Sequence, residues 1–177
     1  MSIIEDSLRE RLGGYEIIPV TRENFGRAME IYGSNREFCL LSEGKEAEFD
    51  DCVKDVDAVP PGFDINDRLF AGLWRGGEIV AVLDLLRGYP EKSIVWIGLL
   101  MVRGGLHGMG IGGEIAEAVA GAAKAAGYEA IQLGVMENNA PGLGFWRKHG
   151  FGKIRESEME RNGAEPRKII VLERRTA

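Results

Sequence analysis

The sequence predicts an α/β (α+β) fold in which helices and strands share one domain over residues 1–177. Three observations support this prediction. The chain contains short segments with alternating apolar residues, typical of strands, and segments with apolar residues three or four apart, typical of helices. Residues 69–86 have the pattern of two antiparallel strands around a glycine turn. No repeat, low-complexity segment or linker divides the chain, so one domain accounts for its length.

The first sixty residues contain one predicted strand and two predicted helices. Residues 1–14 are polar and charged, and we expect a short helix or a loose arm there. The strand covers 15–20, and the helices cover 21–32 and 47–56, where apolar residues recur at helical spacing. Pro-Pro-Gly at 60–62 then interrupts regular structure.

Six further strands follow, with two helices between them. The segment 94–102 is apolar at both alternating sets of positions, which is typical of a strand inside a sheet that is covered on both sides. An alanine-rich helix begins at Ile111 and ends before Gly127, and the last two strands are expected to form a hairpin around Asn162 and Gly163. The strands predicted here are 69–74, 79–86, 94–102, 131–136, 151–160 and 168–174, and the second helix is 140–149.

Composition and charge exclude several classes of protein. The 22 basic and 28 acidic residues give a net charge of −6, so the chain lacks the general basic surface of a nucleic-acid-binding protein. The longest apolar run, 94–102, is far shorter than the roughly 20 residues that cross a bilayer. With no secretory signal at the start, we expect a cytoplasmic protein without a membrane partner. Cys39 and Cys52 form neither a metal set nor a disulfide framework, and are expected to be free thiols.

Glycine is enriched, with 25 of the 177 residues, about twice the usual share. Many of these glycines lie between Gly104 and Gly113, after the doubly apolar strand and at the start of the alanine-rich helix. Such a backbone brings several N–H groups to one concave surface, and the helix start adds unpaired N–H groups and the positive end of its dipole. The segment therefore predicts a phosphate-binding site, since a tight turn alone would need fewer glycines.

The spacing Gly108-x-Gly110-x-x-Gly113 also fits the dinucleotide fingerprint, which would indicate a nicotinamide-dependent oxidoreductase. That fingerprint opens a series of parallel strands. Here only one helix-to-strand crossover follows before the closing hairpin, so the context disfavours a dinucleotide site. No Lys-Ser or Lys-Thr follows the glycines, which excludes a Walker A loop.

The loop 107–112, His-Gly-Met-Gly-Ile-Gly, resembles motif A of the GNAT superfamily of N-acetyltransferases, whose pattern is Gln/Arg-x-x-Gly-x-Gly/Ala. Residues 139–151, Asn-Ala-Pro-Gly-Leu-Gly-Phe-Trp-Arg-Lys-His-Gly-Phe, resemble motif B, in which an Asn precedes a short helix that carries an aromatic pair and ends in Gly-Phe. Two motifs joined by one helix and one strand are more specific than either alone. The resemblance covers 69–155 well, 15–60 in layout, and hardly covers 1–14.

The resemblance implies a mixed, mostly antiparallel sheet of seven strands flanked by about four helices. Its central strands, near 94–102 and 130–136, would splay apart and admit acetyl-CoA as the acyl donor. The pantetheine arm would pair with the end of the first of these strands, at Leu100, Met101 and Val102.

The CoA pyrophosphate would lie on motif A, in agreement with the anion site inferred from the glycines. The residues expected to bind it are His107, Gly108, Met109, Gly110, Ile111 and Gly112. His107 stands where the motif has Gln or Arg, and either adds a ring N–H donor or is an exposed loop residue. Asn139 would hydrogen-bond near the arm or serve as a helix N-cap, and Phe145 would pack against the arm.

The sequence departs from the family at the residue expected to protonate the leaving thiolate. Many members have a Tyr there, whereas this chain has Trp146. An indole N–H cannot serve as that acid. The strand 94–102 also carries no carboxylate that could accept a proton from the amine.

Asp84 is therefore the first candidate for the general base. It lies within an otherwise apolar strand, where an unpaired carboxylate is costly. Its alternative role is that of a strand-edge residue paired with Arg87 or Arg103. Tyr89, in the turn that follows, is the second candidate, and its alternative role is an aromatic lid on that turn.

Tyr32 and Phe38 flank the loop between the first two predicted helices, which in the family helps to form the acceptor pocket, and are candidate substrate-side residues. The acidic run 43–51 is a solvated helix face or favours a cationic acceptor.

The resemblance implies an acetyl-CoA-dependent N-acetyltransferase, a monomer or homodimer, that acetylates a primary amine of a small molecule or peptide by direct attack in a ternary complex. The alternative is a non-catalytic acyl-CoA sensor or scaffold of the same fold.

Overall fold

The computed structural model describes residues 1–161 and 163–177. The strands are β1 (Glu16–Pro19), β2 (Arg68–Arg75), β3 (Glu78–Arg87), β4 (Ile94–Val102), β5 (Ala130–Met136), β6 (Gly152–Arg161) and β7 (Ala164–Arg175). The α-helices are α1 (Ile3–Arg11), α2 (Phe25–Ser34), α3 (Arg36–Glu43), α4 (Phe49–Cys52), α5 (Ile111–Ala125) and α6 (Ala140–Lys148). Short 3-10 turns cover Val53–Val56, Ile65–Asp67 and Gly104–Leu106. Among the described residues, no helix combines the length and apolar character needed to cross a membrane.

All seven strands form one sheet in the order β1-β2-β3-β4-β5-β7-β6. Neighbouring strands are antiparallel except β4 and β5, which are parallel. The pairing of β4 with β5 covers only Ile94–Ile97 opposite Ala130–Leu133, and beyond it the two strands separate. The predicted mixed, mostly antiparallel seven-stranded sheet with splayed central strands is confirmed.

Helices cover both faces of the sheet, as the doubly apolar pattern of β4 requires. Val95 and Ile97 lie on the face that packs against α1, α5 and α6, which we call the α5 face. Phe70 and Val82 lie on the opposite face, which packs against α2 and which we call the α2 face. Two apolar clusters therefore hold the sheet between them, and β4 contributes to both.

Of the two forms expected for residues 1–14, the chain adopts a helix. The Ser2 hydroxyl caps α1 by accepting from the Glu5 N–H at 3.4 Å. Ile4, Leu8 and Leu12 are at most 2% exposed and pack into the cluster on the α5 face. Because full burial of one such side chain contributes about 1.5–3 kcal/mol, α1 is a structural part of this layer.

The described part of the chain has six α-helices rather than about four, and the additional ones include α1 and α3. Asn35 is the cap residue between α2 and α3. Its side-chain amide donates to the carbonyls of Ile31 and Val102, both at 2.9 Å, and so fixes this turn against β4. The chain thus turns and resumes a helix, where the sequence predicted a loop. The helix predicted over 47–56 is divided into α4 and a 3-10 turn. The predicted hairpin of β6 and β7 is present, but Asn162 of its turn lies outside the described residues.

Candidate active site

The separation of β4 and β5 opens a wedge-shaped gap in the middle of the sheet. Gly98 and Gly134 are the first residues beyond the last paired positions, Ile97 and Leu133, and both are exposed. They mark the narrow end of the gap, which we call the apex. The part of β4 beyond the apex pairs only with β3, so backbone groups on its other edge face the gap.

A β-bulge in β4 lies at the apex. Asp84 of β3 is opposite Leu99, and Leu85 is opposite Ile97, so Gly98 is an extra residue in β4. Such a bulge bends the strand and leaves backbone groups without ladder partners. Free backbone groups are thus available at the point where the gap begins.

The predicted pantetheine positions follow the bulge. The side chains of Leu100 and Val102 pack on the α5 face, and that of Met101 is buried on the α2 face. The Val102 carbonyl is within 2.9 Å of both Asn35 Nδ2 and His107 Nε2. One ring nitrogen of His107 therefore holds the loop against β4, and only the other ring nitrogen can contact a ligand.

The glycine-rich loop joins the open end of β4 to α5. Gly108 and Gly110 have φ angles of 81° and 84°, which favour glycine, and Gly110 is the N-cap of α5. The first backbone bond of the helix runs from the Glu114 N–H to the Gly110 carbonyl at 3.0 Å. The N–H groups of Ile111 and Gly112 come before that bond and have no partner within the helix. The loop therefore presents unpaired N–H groups at the start of α5, and its Met109 is 66% exposed.

Other glycines in this segment allow close packing. A Cβ on Gly112 would lie 3.3 Å from the Phe145 ring, and one on Gly113 would lie 2.8 Å from His149 Cε1. A Cβ on Gly104 would collide with the Ser34 carbonyl. The glycine enrichment thus has two causes, because some positions require the left-handed backbone and others require the absence of a side chain.

Helix α6 places the motif B residues beside this loop. Asn139 Oδ1 accepts from the Gly142 N–H at 3.0 Å, so Asn139 is the N-cap of α6. Phe145 lies over Gly112 and therefore next to the start of α5. Trp146 is buried between Phe145 and Phe151, with ring centroids 4.9 and 5.0 Å apart, and serves as a core residue.

Asp84 lies at the apex, on the α2 face. Its Oδ1 accepts from Arg68 Nε at 2.7 Å and its Oδ2 from Arg68 Nη2 at 3.1 Å. Oδ2 also lies 2.5 Å from the position that a Cβ on Gly98 would occupy. The carboxylate is thus held against the bulge, with Oδ2 facing it.

The expected pairing of Asp84 with Arg87 or Arg103 is wrong. Arg87 donates to Glu5 at 2.6 Å, and Arg103 lies 3.3 Å from Glu30. Asp84 is also not at a strand edge, since β3 lies between β2 and β4. The register of β2 against β3 brings Arg68 to the same sheet face as Asp84, whereas Arg87 reaches α1 on the other face.

A buried network surrounds this ion pair. The Arg68 side chain is 4% exposed, and its Nη1 donates to the Val56 carbonyl at 2.8 Å. Beside it, the Tyr32 hydroxyl donates to Asp55 Oδ2 at 2.7 Å. Burial raises the pKa of Asp84 above its ordinary value, although the Arg68 charge opposes the shift and Asp55 adds to it.

The same burial affects the two neighbouring groups. It raises the pKa of Asp55, against the hydrogen bond from Tyr32 and the charge of Arg68. It also raises the pKa of Tyr32, with a further contribution from Asp55. Tyr32 is therefore a buried donor within the network. Phe38 of α3 is half-buried against the α2-face cluster.

Tyr89 belongs to an aromatic stack near the apex. Its ring makes edge contacts with Phe63 and Trp96, at centroid distances of 6.0 and 5.7 Å. Trp96 lies 3.6 Å from the position of a Cβ on Gly134. The stack therefore forms a half-buried apolar wall beside the gap.

Sequence reasoning missed three residues of this site, Arg68, Gly98 and Gly134. A glycine inside an apolar strand indicates a bulge or a close backbone approach, so the two glycines carried a signal. Arg68 carried none, because its contact with Asp84 depends on the strand register.

The fold, the gap and the glycine loop agree with a comparison against protein families. A model of the Acetyltransferase (GNAT) family matches residues 28–151. The chain therefore belongs to the GNAT acetyltransferase family. A comparison with curated proteins finds no match.

Solved structures of similar fold include an acetyltransferase from Thermus thermophilus, with 23% identity, a TM-score of 0.70, and coverage of 91% of this chain and 96% of that one. An acetyltransferase from Bacillus subtilis in complex with CoA has 19% identity and a TM-score of 0.61, and the match covers 91% of this chain and 97% of that one. The PaiA N-acetyltransferase from Thermoplasma acidophilum in complex with coenzyme A has 15% identity and a TM-score of 0.62, and the match covers 91% of this chain and 98% of that one.

Proposed function

We propose that the protein transfers an acetyl group from acetyl-CoA to a primary amine of a small molecule or peptide, by direct attack in a ternary complex. The observation that carries this proposal is the position of Asp84 Oδ2 over Gly98, at the apex of a gap whose open end meets the start of α5. Membership of the family and the CoA complexes of similar folds support CoA as the acyl carrier.

In this proposal, acetyl-CoA binds along the splayed edge of β4. Its pyrophosphate lies on residues 107–112, where the loop N–H groups and the dipole of α5 favour an anion. The pantetheine arm pairs with backbone groups of 100–102 on the edge that faces the gap, except the Val102 carbonyl, which Asn35 and His107 already engage. Phe145 packs beside the arm. Asn139 fixes the start of α6 and so the position of Phe145.

Asp84 is the proposed general base. An amine is protonated near neutral pH and must lose a proton before it attacks the thioester. Oδ1 takes the shorter bond from Arg68, whereas Oδ2 has the longer one and faces the apex. Burial raises the pKa of this carboxyl above its ordinary value, and the hydrogen bonds and charge of Arg68 oppose that rise. We prefer Asp84 to Tyr89 as the base, because the ring of Tyr89 is packed edge-on against Phe63 and Trp96.

The transfer step forms a C–N bond and breaks the thioester C–S bond. Backbone N–H groups of the bulge polarise the thioester carbonyl and stabilise the oxyanion. Overall the nitrogen loses two protons. One passes through Asp84 to solvent. The other passes to water, and water protonates the departing CoA thiolate, because the indole of Trp146 is buried in the core and is not an acid.

Ligand-induced thermal stabilisation tests CoA binding first. Acetyl-CoA and CoA at about 100 times their dissociation constants are expected to stabilise the fold by roughly 2.7 kcal/mol, and NAD is expected to have no effect. A panel of primary amines is then assayed for release of the CoA thiol, with Asp84→Asn as the inactive variant that still binds CoA. If neither CoA species stabilises the protein, the proposal is overturned.

A second candidate function is that of an acyl-CoA sensor without transfer activity. It is favoured by the bidentate pairing of Asp84 with Arg68 and by the buried Trp146 in place of a Tyr. Stabilisation by CoA without acetylation of any amine in the panel would support it.

A further inference from the structure

The ribbon formed by β6 and β7 extends past the end of β5. The pairing of β5 with β7 ends at Met136 and Ile169, whereas β6 and β7 remain paired as far as Arg161 and Ala164. At the far end of the ribbon, Arg161 Nη2 lies 4.0 Å from the position of a Cβ on Gly44, which ends α3. The ribbon thus reaches from the open end of the gap to the end of α3.

Arg167 lies on the side of the ribbon that belongs to the α2 face of the sheet. Ile169 Cγ2 lies 2.7 Å from the position of a Cβ on Gly134, so Ile169 faces the gap from the α2 face. Side chains two residues apart on a strand share a face, which places Arg167 with Ile169. Lys168 points to the opposite side, where it lies 3.6 Å from Glu156.

The Arg167 side chain has no anionic partner in the described part of the protein. Its Nε–H is buried and donates to no acceptor there, and no described carboxylate lies within 4.0 Å of its guanidinium. A buried N–H group without a partner costs free energy, which a bound acceptor atom would recover. Arg155 shares this face of the ribbon, because it is opposite Val171, and it too has no described carboxylate within 4.0 Å.

The Asp84 carboxylate at the apex and the Arg167 guanidinium on the ribbon thus lie on the same face of the sheet, beside the open part of the gap. We propose that the acetyl acceptor is a primary amine that also carries a carboxylate, with its amine at Asp84 Oδ2 and its carboxylate on Arg167. The proposal rests on the proposed acyl transfer. A guanidinium binds a carboxylate through two parallel hydrogen bonds, so it selects for that group as well as attracting it. An amino acid or a close analogue has both groups.

Matched pairs of acceptors test this inference. Linear ω-amino acids from glycine to 6-aminohexanoate are compared, in steady-state acetylation, with n-alkylamines of equal chain length. We expect one chain length of amino acid to be preferred. Its kcat/KM should be at least about tenfold above that of the matched alkylamine, which is the effect expected from a hydrogen bond to a charged group. Equal rates for both members of every pair would overturn the inference.

Variants then assign the preference to Arg167. Arg167→Gln is expected to raise KM for the preferred amino acid by about tenfold or more, and to leave KM for acetyl-CoA and for the alkylamine unchanged. Arg167→Lys should recover part of the loss. Lys168→Gln is the matched control, since it removes the same charge one residue away on the other side of the ribbon. An equal loss for amino acid and alkylamine in Arg167→Gln would indicate a purely structural role and contradict the inference.

A binding assay separates this inference from the proposed function. The thermal stability of the CoA-bound protein is measured with each ω-amino acid and each alkylamine. Stabilisation by one amino acid, lost in Arg167→Gln and kept in Lys168→Gln, supports the site even if no amine is acetylated. If no amino acid stabilises the wild-type complex and none is acetylated in preference to its alkylamine, the inference fails, whether or not alkylamines are acetylated.

Discussion

Asp84 Oδ2 lies 2.5 Å from the point that a Cβ on Gly98 would occupy. The carboxylate therefore stands in space that exists only because residue 98 has no side chain. The contact joins β3 to the bulge of β4 and fixes the distance between the proposed base and the backbone that would hold the thioester.

The first prediction concerns Gly98. In Gly98→Ala the new methyl group displaces the Asp84 carboxylate, so we expect kcat to fall about tenfold or more. Affinity for acetyl-CoA should change little, because the phosphate loop is elsewhere. Steady-state kinetics and calorimetry measure the two effects. Gly26→Ala, in α2 with no atom within 4 Å of the new Cβ, is the control. Full kcat in Gly98→Ala would contradict the placement of the base.

The second prediction concerns the pH dependence of transfer. Only ionised Asp84 accepts a proton, so kcat/KM should rise with pH through the pKa of this carboxyl, above the ordinary value for Asp. Arg68 lowers that pKa, so Arg68→Gln should move the acidic limb to higher pH, and Arg68→Lys should move it less. Arg87→Gln, which removes a charge from the pair with Glu5, should leave the limb in place. An unmoved limb in Arg68→Gln would exclude Asp84 as the titrating group.

The third prediction concerns the glycine-rich loop, which is the proposed pyrophosphate site. Gly110 caps α5 with φ of 84°, and a residue with a Cβ pays about 1–2 kcal/mol in that conformation. Gly110→Ala should therefore destabilise the protein and weaken CoA binding about tenfold. Thermal unfolding and calorimetric titration measure both. Gly105→Ala is the control, because Gly105 has no positive φ and open space at its Cβ. Unchanged CoA affinity in Gly110→Ala would exclude the loop as the pyrophosphate site.

The fourth prediction concerns Trp146. Because its ring packs between Phe145 and Phe151, Trp146→Phe should lower the melting temperature by several degrees. The indole takes no part in proton transfer in our proposal, so kcat should stay within about twofold of the wild-type value. A much larger loss of kcat in a folded variant would show that the indole does take part in the transfer.

The sheet and the glycine loop could be predicted from sequence because they depend on local patterns. Residues 94–102 are apolar at both alternating sets of positions, and Gly110 lies at a helix start, so both carry their signal within a few residues. The partner of Asp84 could not be predicted, since Arg68 reaches it only through the register of two strands. Helix α3 was missed because the turn at Asn35, between α2 and α3, is held by a contact with Val102 far along the chain.

The packing of α1 limits how far the chain can be shortened at its N-terminus in an expressed fragment. The family match begins at residue 28, yet Ile4, Leu8 and Leu12 pack with α5, whose first turn carries the N–H groups proposed to bind the CoA pyrophosphate. Arg11 also lies across Gly121, where a Cβ would collide with its guanidinium. The segment that matches the family is thus shorter than the segment that must fold together. An expressed fragment limited to the matched residues would expose to solvent the side of α5 that α1 covers.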